Sequence, residues 1–158
     1  MKHDKCGTPD CCQECGPIQS KLNRYVQILG NIEDDQDKYV WIMDFGKNSI
    51  PMRANLKMEE FEIQGCQTST WLVPHFVDDK IYFSADSMAL ISKGMVCLIA
   101  DVYSGSSAQD INEFDQDNFK ELKLDTLLTP GRNNGVHNML KQILEYSMMH
   151  QEDSQAHA

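Results

Sequence analysis

Residues 63–87 read IQGCQTSTWLVPHFVDDKIYFSADS, and this stretch decides the fold. Trp71-Leu72-Val73 has the composition of a strand, Asp78-Asp79 that of a turn, and Lys80-Ile81-Tyr82-Phe83 that of a returning neighbour, so the segment predicts an antiparallel hairpin. Pro74 cannot donate to a ladder, which places it at an edge or a bulge. Just before the first strand, Gly65 permits a backbone conformation closed to other residues and lets another segment approach closely. The run around it therefore reads as a turn that presents Cys66, with Gln64, Gln67, Thr68 and Ser69 as donors for a thiolate. By itself this local pattern describes a buried turn cysteine before it describes a reactive one, because cysteine also serves as a small hydrophobe.

Outward from the hairpin the pattern turns helical. On the C-terminal side Asp86 and Ser87 are placed to begin a helix, with Asp86 as its cap, and Met88, Leu90, Ile91, Met95, Leu98, Ile99 and Val102 make it the central core helix, ending near Tyr103-Ser104-Gly105. Cys97 lies in its apolar run and reads as structural and buried, while Lys93 bears on solubility or partner contact. Ser107 and Asp110 have capping-box spacing before a short helix with Ile111 and Phe114, and Phe119 and Leu122 mark another short amphipathic piece. The turn-rich Thr129-Pro130-Gly131-Arg132-Asn133-Asn134-Gly135 precedes a final helix that buries Val136, Met139, Leu140, Ile143 and Leu144 before a polar end that frays. On the N-terminal side a helix runs from Ser20 to about Gly30, with Leu22, Val26 and Leu29 on one face, and a second from about Gln36 to Phe45; residues 47–62 carry no sustained strand pattern. Helices on both sides of a small antiparallel sheet segment indicate an α+β fold with one core over residues 19–150, between a cysteine-rich tail, 1–18, and a flexible C-terminal tail, 151–158.

Charge and cysteine usage narrow the function. The chain has 158 residues, with 14 Lys plus Arg against 24 Asp plus Glu, a formal net charge of -10, which argues against a nucleic-acid partner. No stretch approaches the roughly 18 apolar residues of a membrane span, and MKHDKCGTPD lacks the apolar core of a signal peptide, so the expected compartment is the cytoplasm. Of six cysteines, four crowd into positions 6–15, which suggests reduced thiols for metal or sulfur chemistry rather than a stapling framework. Cys6, Cys11, Cys12 and Cys15 suit zinc or a cluster, an auxiliary thiol that relays sulfur or resolves Cys66, or thiols with no fixed role. The five histidines form no metal-ligand spacing.

Three blocks carry a resemblance: Ile63-Gln64-Gly65-Cys66-Gln67 followed by Trp71; Ala85-Asp86-Ser87 followed by Lys93-Gly94; and Leu128-Thr129-Pro130-Gly131-Arg132-Asn133-Asn134-Gly135 before the last helix. From about Leu22 to Met148 the chain resembles the SufE family of cysteine-desulfurase sulfur acceptors, which includes the CsdE proteins; the first 18 residues fall outside the likeness. The resemblance implies a two-layer α+β domain of the kind shared with iron–sulfur scaffold proteins. It places the family's acceptor cysteine on Cys66 and its near-invariant arginine on Arg132. It further implies a pyridoxal-phosphate (PLP)-dependent cysteine desulfurase of the SufS or CsdA type as the partner that loads Cys66 with a persulfide, an iron–sulfur scaffold or other acceptor downstream, and no cofactor in the protein itself. Such a protein is a transpersulfidation partner rather than a stand-alone enzyme. Arg132 is expected either to stabilise the Cys66 thiolate or to fix the docking of the desulfurase through its fork of donors. In the family the thiol is sheltered in an apolar recess, for which Trp71, Phe61 and the central helix are the candidates here. The competing reading is an iron–sulfur or zinc scaffold that recruits the tail cysteines. A thiol redox enzyme would need a C-x-x-C opening a helix beside a parallel βαβ unit, which Gly65-Cys66 before a hairpin does not provide.

Overall fold

The computed structural model describes residues 16–156. The expected cysteine-rich tail through Cys15 lies outside the described residues, as do residues 157–158. Helix α1, Gly16–Gly30, begins inside the expected tail, because Ile18 continues the stripe of Leu22, Tyr25 and Leu29 and all four are buried. Helix α2, Asp35–Lys47, is capped by Asp34, whose carboxylate accepts a hydrogen bond from the Gln36 amide at 2.7 Å.

Strands β1, Thr70–Val77, and β2, Lys80–Ser87, form the hairpin in register from Thr70 opposite Ser87 to Val77 opposite Lys80. The turn is completed by Asp78 in the left-handed region, φ 58°. A two-residue strand β3, Ser106–Ser107, joins the far side of β2, so β1 lies outside in the order β1-β2-β3. That edge accepts Pro74 within the strand, and β1 runs on to Val77 rather than ending at the proline. Helix α3, Leu90–Tyr103, is the core helix, buried at Ile91, from Gly94 to Ala100, and at Val102 and Tyr103. Its backbone meets that of α2 directly: a Cβ at Gly94 would lie 2.0 Å from the Ile42 carbonyl oxygen, so only glycine fits that crossing.

Helix α4, Ala108–Glu113, is capped by Ser107, whose hydroxyl accepts from the Asp110 amide at 3.1 Å as its spacing predicts. A 3-10 segment, Gln116–Leu122, buries Phe119 and Leu122. Helix α5, Pro130–Ala156, closes the chain. The buried side chains of α1, α2, the sheet, α3, α4 and α5 form one contiguous cluster, the single α+β core expected.

Two expectations are corrected. Asp86 and Ser87 do not begin the core helix: β2 extends through both, α3 starts at Leu90, and Ala89 at its N-cap offers no side-chain bond. The Asp86 carboxylate is instead held by Lys57 at 2.9 Å and Lys93 at 3.4 Å, which also ties Lys93 to the sheet. Residues 130–135 are not a turn before α5 but its opening turns. Pro130 suits a first helical position, where no amide is needed, and Thr129 caps the end by accepting from the Arg132 amide on its hydroxyl, 3.3 Å, and from the Asn133 amide on its carbonyl, 2.9 Å. At its other end α5 continues past the expected fray to Ala156.

Candidate functional site

Cys66 hangs in a short loop whose two flanks are pinned. Upstream, the Ile63 amide donates to the Thr70 carbonyl at 2.8 Å and Glu62 bridges to Trp71. Downstream, the Ser69 carbonyl accepts from the Met88 amide at 3.0 Å and the Ser87 hydroxyl at 3.1 Å, while the buried Thr70 hydroxyl meets Ser87 Oγ at 2.9 Å and the Thr68 carbonyl at 3.0 Å. Between these anchors Gly65 adopts φ 84°, the left-handed conformation anticipated for it, and a Cβ there would also collide with Asn138 Nδ2 at 2.4 Å. The Thr68 hydroxyl is buried and has no hydrogen-bond partner among the described residues.

The loop delivers the half-buried thiol into a recess between α3 and the start of α5. Ile91, Met95, Leu128, Val136 and Met139 wall it, Gln67, Ser92 and Arg132 supply its polar atoms, and the open space is about 10 Å³, room for about one water-sized atom. Two α5 glycines make the approach possible. A Cβ on Gly131 would fall 2.2 Å from Gln67 Nε2, and one on Gly135 would stand 3.6 Å from the Cys66 sulfur. The thiol points toward the Gly135 carbonyl oxygen, 3.9 Å away. Arg132 Nη1 donates to Ser92 Oγ at 2.8 Å, and among the described residues no carboxylate lies within salt-bridge distance of the guanidinium.

Burial pushes the Cys66 thiol pKa up, and the charge of Glu62 adds to the rise. The Thr70 hydroxyl opposes it, but that hydroxyl is already engaged by Ser87 and Thr68. Burial thus favours the neutral thiol over the thiolate. Cys97 is buried, contacts the Ala85 carbonyl at 3.7 Å and lines a different groove, in line with a structural role.

The structure thus brings Cys66 and Arg132 to one recess. Of the proposed shelter, α3 contributes Ile91, Ser92 and Met95, whereas Trp71 and Phe61 are not among the lining residues. Trp71 instead lies under the Lys57 ammonium, 5.6 Å from the ring centre. Ser92, Gly131, Gly135 and the Ser87–Thr70 pair are the contributors that sequence reasoning missed. The glycine spacing in 131–135 was visible but belongs to a helix face, and nothing local marked Ser92. Among the described residues no group of three or more His, Cys, Asp or Glu could hold a metal ion, and no helix is long and apolar enough to cross a membrane. The four N-terminal cysteines lie outside the described residues.

Fold and recess together define a small α+β domain that shelters one cysteine beside an arginine with no carboxylate partner among the described residues. Residues 23–147 match the family model described as SufE, Fe-S metabolism associated domain, and the chain belongs to that family. It is 30% identical over 133 residues to an uncharacterized SufE-like protein of Rhizobium etli, covering 81% of this chain and 90% of that protein. A SufE-like protein of Rhizobium meliloti is 28% identical over 129 residues, with coverages of 78% and 92%. SufE-like protein 1, chloroplastic/mitochondrial, of Arabidopsis thaliana is 29% identical over 149 residues, 92% of this chain but only 40% of that longer protein. The fold is similar to the solution structure of a hypothetical protein from Thermus thermophilus, with a TM-score of 0.68 at 15% identity, covering 82% and 94% of the two chains.

Proposed function

We propose that this protein accepts sulfur from a PLP-dependent cysteine desulfurase as a persulfide on Cys66 and passes it on for iron–sulfur cluster assembly. The observation that carries this reading is the Cys66 thiol, held in a recess with room for about one more atom and flanked by Arg132. The Cys66 thiolate attacks the terminal sulfur of the desulfurase persulfide, the donor's S–S bond breaks, and the donor cysteine leaves as a thiolate. Cys66 then carries the sulfane sulfur, and an acceptor thiolate removes it by the same exchange. The apolar walls shield the persulfide from stray thiols and oxidants between the two steps. A reducing compartment such as the cytoplasm suits this chemistry, which requires a free thiol.

The test mixes the full chain with a cysteine desulfurase and free cysteine and reads the mass of the intact protein. The expected result is a gain of one sulfur atom, absent in Cys66→Ala and retained when residues 1–15 are removed. Loading that persists in Cys66→Ala overturns the assignment. Loading that requires the four N-terminal cysteines instead favours a tail-centred sulfur or metal site.

A further inference from the structure

Just past α2 the chain is fastened at two points. Ser49 is tied to the end of the helix, its hydroxyl donating to the Phe45 carbonyl at 2.7 Å and its amide to the Gly46 carbonyl at 3.2 Å. Met52, three residues on, is buried. Between these anchors Ile50 is left 92% exposed. Ile50 and Pro51 line both a groove of about 620 Å³ and a neighbouring hollow of about 430 Å³, and Ser84 of β2 lines both as well. Neither shares a lining residue with the Cys66 recess: α3 gives that recess Ile91, Ser92 and Met95, and gives the groove Cys97, Ala100, Asp101 and Ser104.

The two hollows differ in chemistry. Rings and small apolar side chains wall the larger one, among them Tyr25, Phe45, Phe83 and Ala85. The smaller one is lined by Arg53, Asn55, His75 and Ser84 and by no carboxylate. The Arg53 and Asn55 side chains have no hydrogen-bond or ion-pair partner among the described residues. His75 Nε2 lies 2.8 Å from Ser84 Oγ, which leaves its other ring nitrogen open. Asp101, the carboxylate of the larger groove, already accepts the Tyr25 hydroxyl and lines only that groove.

An unpaired guanidinium beside an amide and an imidazole is a set of donors for an anion. An apolar trough continuous with it suits the rest of the same molecule, and sites for small molecules combine these features in volumes of about 300–1,000 Å³. We propose that the two hollows form one binding site for a small organic anion. Its carboxylate, phosphate or sulfonate head meets Arg53, Asn55 and His75, and its apolar body lies across Ile50 into the aromatic groove. Occupancy covers the isoleucine that the free chain exposes. The site stands apart from Cys66 and does not depend on the sulfur chemistry proposed there.

The test titrates the full chain with anilinonaphthalene sulfonate, an anionic head on an aromatic body, and with phenylnaphthylamine, the same kind of body without the charge. Fluorescence gives affinity and stoichiometry for wild type, Arg53→Glu and Ile50→Ser. Lys141→Glu and Val77→Ser serve as controls for an exposed cation and an exposed apolar residue elsewhere, and Arg53→Gln replaces Arg53→Glu if the latter melts early. The expected result is a single equivalent of the sulfonate, bound about tenfold or more tighter than the neutral probe, with that advantage lost in Arg53→Glu. Ile50→Ser weakens both probes, and the two controls bind as wild type. Absence of sulfonate binding overturns the site, as does wild-type sulfonate affinity in the Arg53 variants. An equal loss in the controls also overturns it, because that reports adsorption to the surface at large.

Discussion

Replacing Gly135 with alanine should stabilise the fold and impair the site in the same molecule. Gly135 lies in the second turn of α5, where alanine is favoured over glycine by about 0.8–1.0 kcal/mol. The added Cβ meets only Cys66 Sγ, at 3.6 Å, an ordinary contact that the reduced thiol tolerates. For a chain of this size the gain corresponds to a melting temperature about 2–4 °C higher. The persulfide is a different tenant. Its terminal sulfur lies about 2.05 Å beyond Sγ, and the recess offers about 10 Å³, part of which the methyl group removes. Overpacking a filled site costs about 1–3 kcal/mol. Imposed on the persulfide form alone, that penalty disfavours it about 5- to 150-fold relative to wild type. Thermal melts of the reduced protein and the decay of the loaded form under dilute thiol, followed by intact mass, measure the two effects separately. A higher melting temperature with an unchanged persulfide lifetime would refute the reasoning, because the carried sulfur would then lodge outside this recess.

Arg132→Lys keeps the charge but loses the planar fork that reaches Ser92; desulfurase-dependent loading should fall about tenfold while the melting temperature changes little, and wild-type loading would show that charge alone suffices. Ser87→Ala removes a hydroxyl bonded to Ser69 and Thr70, a loss of about 1–3 kcal/mol that falls partly on the anchor of the Cys66 loop. Iodoacetamide should therefore alkylate Cys66 several-fold faster, and an unchanged rate would remove Ser87 from the anchoring of the loop. Asp86→Asn tests the buried carboxylate. Burial raises its pKa, but the Lys57 and Ser87 amide hydrogen bonds and the charges of Lys93 and Lys57 outweigh that and hold it below the usual carboxylate range. Its ionised form thus stabilises the native state above the unfolded value of about 3.9, and this contribution is lost as pH falls through the lower native value. Urea midpoints should drop more steeply below about pH 4 in wild type than in Asp86→Asn, and parallel acid limbs would contradict the assignment.

How far the sequence reached depended on whether a feature's partners were local. The hairpin, the core helix with Cys97 inside it and the left-handed Gly65 were legible because each depends on alternation, periodicity or one backbone angle within a few residues. Asp86 misled because a polar pair before an apolar run looks like a helix cap; its strongest partner, Lys57, comes from a loop 29 residues upstream. Residues 129–135 misled in the opposite sense. Proline, two glycines and two asparagines describe a turn by local preference, yet the glycines accommodate Gln67 and Cys66 against a helix that tertiary packing holds in place. Of the shelter sought in Trp71, Phe61 and the central helix, only the helix lines the recess; the other walls come from Leu128 and α5, far from Cys66 in sequence. Arg132 could be joined to Cys66 only through the family likeness, since no spacing rule connects positions 66 residues apart.

The geometry also sets a limit on when sulfur can move. An exchange requires the attacking and donor sulfurs to approach within roughly 3–3.5 Å with the bond to be broken in line. A recess with room for about one atom does not accommodate the donor cysteine behind that sulfur. Burial that raises the thiol pKa also reduces the thiolate available to attack. In the proposed cycle the arrangement seen here is therefore the holding state, and transfer needs the loop to come out. In that cycle the residues between the Ile63 and Ser69 anchors are the ones such a movement would involve, with Gly65 already in the left-handed conformation and the Thr68 hydroxyl without a hydrogen-bond partner among the described residues.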